Sequence, residues 1–120
     1  MGLTHVTAQL SNLAKDKAPY EAEFLVDTGA IDCLAPRDRL SAAGVQPEGK
    51  AVYELANGEP VELEYGFARV SFLGAETVAQ VIFGPEGAEP ILGVAALEYT
   101  GVTVDPVNKT LHRLHAKPLK

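Results

Sequence analysis

Cysteine is nearly absent: Cys33 is the only one in 120 residues. An internal disulfide is excluded, and a reducing cytoplasm fits. Lysine and arginine number 10 against 16 aspartates and glutamates, for a net charge of −6, and they form no run. Nucleic acid is therefore not an expected partner. No apolar stretch approaches the roughly 18 residues of a membrane span. Met1 to Leu13 carries polar residues throughout and lacks a signal-peptide core. Repeats, low-complexity segments and linkers are missing as well. The expectation is a single cytoplasmic domain over 1–120, without a membrane partner. At 47% hydrophobic and 22% charged it can bury a modest core.

What is present reads mostly as short strands. Leu3 to Leu10 alternates loosely, and "YEAEFLV" (Tyr20 to Val26) follows the turn-like "KDKAP". "AVYEL" (Ala51 to Leu55) and "PVELEYGFARVSF" (Pro60 to Phe72) flank Asn57-Gly58, a hairpin signal because both residues tolerate positive φ. Gly74 suggests a second hairpin between "ARVSFL" and "ETVAQVIF". Two helices are predicted. One is "PRDRLSAA", with Pro36 near its start and Gly44 as its stop; the other is Val94 to Tyr99, closed by Gly101. "VTVD", a turn at Pro106 to Lys109 and the strand "TLHRLH" end the chain. Close-spaced strands with little helix point to an all-β barrel or sandwich.

One junction stands out. The apolar run Phe24-Leu25-Val26 ends at Asp27, followed by Thr28, Gly29 and Ala30. An aspartate there is either a turn-former that accepts backbone N–H groups or a reagent. The strand before it is apolar on both faces, so the carboxylate emerges from the interior. Gly29 lets the backbone approach closely, and the Thr28 hydroxyl can lock the loop. Downstream, Ile91-Leu92 meets Gly93 and then a helix. Such a pair can pass between two other strands in a ψ-shaped loop, with Gly93 making room where the chains cross. Taken alone, it is equally a buried strand followed by a helix.

Together "FLVDTGA", "LANGE" and "ILGVAALEYTGVTVDP" resemble the bacterial retropepsin-like (retroviral-type) aspartic proteases, over roughly Tyr20 to Leu114. The resemblance implies an all-β retropepsin-like acid protease barrel with a flap hairpin, one short C-terminal helix and one half-site per chain. It implies a homodimeric aspartic endopeptidase whose catalytic pair is Asp27 of each subunit. Thr28, Gly29, Ala30 and Gly93 would support the active-site loop. Leu55, Ala56, Asn57, Gly58 and Glu59 would form a flap over peptide or protein substrate, and no metal or cofactor is implied. The alternative is a peptide-binding or dimerisation module that kept the fold without efficient catalysis.

The sequence departs from the viral pattern in a coupled way. Viral members often carry an Asp two residues after the DTG glycine and an Arg directly after the second glycine. Here those places hold Ile31 and Val94, so neither charge is left without its partner. Asp32, one place later, is either a substitute or a surface residue, and the surface reading is preferred. Cys33 reads as a small core residue. His5, His112 and His115 offer it no recognisable partner motif. On a strand, His112 and His115 would face opposite sides, which argues against a shared metal. Tyr53 and Tyr65 read as cross-strand packing.

Overall fold

The computed structural model describes residues 4–119. Along them run β1 (His5–Ser11), β2 (Tyr20–Asp27), β3 (Cys33–Pro36), α1 (Arg37–Ala42), β4 (Gly49–Glu54) and β5 (Pro60–Phe72). Then come β6 (Ala75–Gly84), β7 (Ile91–Gly93), α2 (Val94–Thr100), β8 (Val102–Asp105) and β9 (Thr110–Arg113). The all-β character holds. Leu3, the expected start of the first strand, lies outside the described residues. No helix among them is long and apolar enough to cross a membrane.

Six strands close into a ring. Their order is β1-β2-β7-β3-β6-β5, and β5 pairs back onto β1, with Leu10 opposite Val70. β4 hangs from the other end of β5 as a hairpin arm, while β8 and β9 form a separate two-stranded sheet. Period-two alternation sends Ala8, Leu10, Phe24, Ala68 and Val70 into the ring, where they meet Val81, Phe83 and Leu92. Cys33 is buried in the same core, as expected. Both expected helices form. α1 packs inward through Leu40, and α2 is closed by Gly101.

Two local readings are corrected. "CLAP" forms β3, a strand with no alternating pattern to reveal it; it pairs parallel to β6, Cys33 opposite Val81. The two hairpin turns also exchange characters. At Asn57-Gly58 only Gly58 has positive φ, at 87°. The Leu55 carbonyl accepts from the Gly58 N–H at 2.8 Å, and the Leu55 N–H donates to Glu59 O at 2.8 Å. This is a three-residue loop, Ala56 to Gly58, with the glycine in the left-handed place. The tight two-residue turn lies at Leu73-Gly74, where both residues have positive φ (52° and 76°).

The position of β7 organises one end of the ring. It runs parallel to β2, with Asp27 opposite Gly93, and antiparallel to β3, with Leu34 opposite Ile91. The chain between β2 and β3 must therefore loop over the end of β7. At the crossing, a Cβ on Gly93 would lie 2.5 Å from the Ile31 carbonyl oxygen and closer still to that of Asp32. Both obstacles are backbone and cannot swing aside. Gly93→Ala should therefore cost about 1–3 kcal/mol or more, as overpacking does. Urea unfolding checks this, and a midpoint equal to wild type would mean that the crossing relaxes freely.

Candidate functional site

Asp27 is the last residue of β2, and its loop is tied on three sides. The Leu25 N–H donates to Pro90 O at 2.9 Å, and Val26 N–H to Thr4 O at 2.8 Å. The Ala30 N–H returns to Asp27 O at 3.1 Å, closing the turn. Past the crossing, the Val94 N–H donates to Ala30 O at 2.7 Å and the Ala95 N–H to Ile31 O at 3.1 Å. The start of α2 thus spends its unpaired N–H groups on the Asp27 loop.

The Asp27 side chain is half-buried, and its Oδ1 accepts from the Gly29 N–H at 3.0 Å. The turn-former reading is thereby realised, yet the carboxylate also lines a cleft of about 620 Å³. Gly29, Ala30, Ile31, Asp32 and Leu34 form its floor with Asp27, while Tyr53, Glu54, Leu55, Ala56 and Leu63 of the hairpin cover it. Ile82 and Ile91 add apolar surface from the ring.

Of the residues singled out in the sequence, Asp27, Gly29, Ala30, Leu55 and Ala56 meet around this cleft. Gly93 is buried behind the loop, and Thr28 is exposed beside it. Asn57, Gly58 and Glu59 form the hairpin tip instead, where the Glu59 N–H donates to Asn57 Oδ1 at 3.0 Å. Ile31 is 71% exposed, so the chain by itself does not bury it against Val94, although the backbones of the two segments touch.

Asp32 is not the surface residue expected. It is partly buried, and its Oδ2 accepts from the Tyr53 hydroxyl at 3.2 Å and from Gln80 Nε2 at 3.1 Å. Gln80 Nε2 also reaches the Tyr53 oxygen at 3.3 Å. Burial raises the Asp32 carboxyl above its ordinary 3.8, opposed by the hydrogen bonds from Tyr53 and Gln80. Burial likewise raises the Tyr53 phenol. Tyr53, read as packing, and Gln80, not singled out, are therefore polar members of the site. Position 32 beside the DTG loop was the one available signal. Burial also pushes the Cys33 thiol up to about 11, so it offers no thiolate.

No protein-family model and no curated protein matches this chain.

The Asp32 shift has a sign. A carboxyl raised in the folded state favours folding below its unfolded pKa, and that contribution fades as pH rises through the folded value. Asp32→Asn keeps an acceptor for Tyr53 and Gln80 without the charge. Its stability relative to wild type should rise as pH climbs from about 3.5 to 6.5, since the wild type alone ionises at this site. Paired urea titrations at those two pH values check this; a constant difference would show that the carboxylate ionises without hindrance.

Proposed function

We propose that this chain is half of an aspartic endopeptidase of the retropepsin-like type, completed by a second copy of itself. The observation that carries the reading is Asp27. It ends a strand of the ring, is held by the Gly29 N–H in a loop pinned at Gly93, and opens onto a cleft covered by a hairpin. A carboxylate so fixed is held in place at the cleft, which suits proton transfer.

One carboxylate can take a proton from water but cannot also donate one to the substrate carbonyl, so the chemistry needs two. In the proposed C2 dimer the two Asp27 groups face each other and share one proton, the established behaviour of aspartic-protease pairs. The ionised member accepts a proton from the attacking water while the protonated one hydrogen-bonds the scissile carbonyl. The tetrahedral diol then collapses as a carboxyl protonates the leaving amine. No covalent enzyme intermediate forms. The exposed Thr28 would bond across the axis, and Gly29 would offer backbone to the peptide. The β4–β5 hairpin would act as the flap, adding main-chain hydrogen bonds to an extended substrate and excluding water. Leu34, Leu55, Leu63, Ile82 and Ile91 favour an aliphatic side chain beside the cleaved bond.

Asp27→Asn should abolish hydrolysis of an apolar peptide library at unchanged thermal stability, because the amide keeps the shape and loses the base. Cleavage at the wild-type rate would move the activity elsewhere. Wild-type protein that binds these peptides without cutting them would leave the binding-module alternative.

Assembly gives a separate test. Sedimentation over rising concentration should show a monomer–dimer shift or a stable dimer, since a C2 contact repeats one patch on both subunits. A strict monomer, even with a bound statine-type peptide, would overturn the mechanism.

A further inference from the structure

The hairpin arm is not simply an extension of β5. Tyr53 on β4 lies opposite Val61, whereas Gln80 on β6 lies opposite Phe67, six residues further along β5. Along an extended strand those levels are about 20 Å apart. Yet the Tyr53 hydroxyl stands 3.3 Å from the Gln80 amide nitrogen. The arm therefore curls back over the mouth of the ring, and its Tyr53 hydroxyl is held there both by Gln80 directly and by the Asp32 carboxylate.

Asp32 is anchored independently of the arm. Its carbonyl packs against Gly93 at the crossing, and it sits five places after Asp27 in the same loop. Its carboxylate receives Tyr53 from the arm and Gln80 from the ring wall on one oxygen. Three segments distant in sequence thus meet on a single group inside the cleft. A tyrosine kept only for packing needs no acceptor, and a plain surface aspartate would not share a cleft lining with Ile82 and Leu34.

We infer that Asp32 is a positioning residue that clasps the β4–β5 hairpin over the cleft and couples its closure to the Asp27 loop. The clasp bears on catalysis only if the protease reading holds. Its geometry stands without it. Tyr53 and Asp32 close a bridge across the cleft, so part of the covering contact exists before a peptide arrives. Substrate then meets a hairpin already lowered, and less ordering remains to be done on binding. Opening for entry and release requires the Tyr53 bonds to Asp32 and Gln80 to break.

Hydrogen–deuterium exchange of the purified protein tests the clasp without reference to activity. Tyr53→Phe keeps the ring and removes the donor; Asp32→Ala removes the acceptor. Each should speed exchange of the amides in β4 and in 55–64 by about fivefold or more, fivefold being the equilibrium weight of one lost hydrogen bond and Tyr53→Phe losing the Gln80 contact as well. Amides of β1 and β2 should keep wild-type rates. Asp32→Asn should restore most of the protection. Wild-type exchange in the hairpin of both Tyr53→Phe and Asp32→Ala would overturn the inference, and Tyr53→Phe alone decides if the alanine variant does not fold. Where wild type cleaves peptides, the two variants should raise KM about fivefold with little change in kcat. A fall in kcat at wild-type KM and wild-type exchange would instead place Asp32 in the chemistry and remove the clasp. Faster hairpin exchange in a protein that cleaves nothing would uphold the clasp and discard the protease reading.

Discussion

The fold depends on one close crossing: the carbonyls of Ile31 and Asp32 lie against the bare Cα of Gly93. That approach lets β7 sit between β2 and β3 while the connection between those two strands passes over its end. Because β7 is parallel to β2 in a register that sets Gly93 opposite Asp27, the crossing also fixes where the carboxylate leaves the sheet. The same glycine precedes α2, whose first N–H groups bind Ala30 and Ile31. Strand end, loop and helix start are thus locked by backbone contacts, which side-chain motion cannot loosen. A site built on such a loop has little freedom to misplace its carboxylate, and small displacements are what proton-transfer chemistry tolerates least.

A second constraint lies in β5. Its last residues pair with β6 and β1 inside the ring, while its first pair with β4 outside it, and Tyr65 belongs to both, opposite Gly49 and Ile82. The arm consequently inherits its direction from a ring strand. Its covering position over Asp27 is set by the coil of a continuous sheet, and only the last stretch needs side chains to hold it. An arm attached by a loop at each end would carry no such bias, and the full entropy of ordering it would fall on ligand binding.

The sequence made some of this legible and hid the rest for definable reasons. Asp27, Gly29 and Gly93 were readable because each is a local exception: a charge ending an apolar run, and glycines where strands would otherwise continue. α2 announced its end by Gly101. β3 was hidden because its four residues, three of them buried in the ring, carry no alternation, and Pro36 argues for a helix start as readily as for a strand end. The hairpin type was misjudged because Asn-Gly fits both turn classes, and the Leu55–Glu59 pairing leaves three residues, not two, to make the turn. The polar cluster of Asp32, Tyr53 and Gln80 was invisible for a different reason. Its members are widely separated along the chain, and each has an ordinary local role. Only the curl of β5 brings them together. A sequence pattern records faces and turns, not the convergence of two strand ends across a cleft.

Charge sets the last condition on the proposed assembly. Asp27, Asp32 and Glu54 all line the cleft, and none of its lining residues is cationic. Pairing two copies would bring two such clefts together and double a net charge of −6. Unscreened, that repulsion opposes association, and salt would weaken it over a Debye length of about 10 Å at 0.1 M. Two features work the other way. Burial raises the Asp32 carboxyl, which would ease protonation of one of the cleft carboxylates where the copies would meet. Ile31, largely exposed beside the Asp27 loop, and the exposed Tyr99 of α2 offer apolar surface that gains from contact whatever the salt. An ion pair at positions 31 and 94 would give a dimer whose contact weakens as salt rises. Isoleucine and valine there would reverse that dependence, so in the proposed dimer salt would act in favour of pairing.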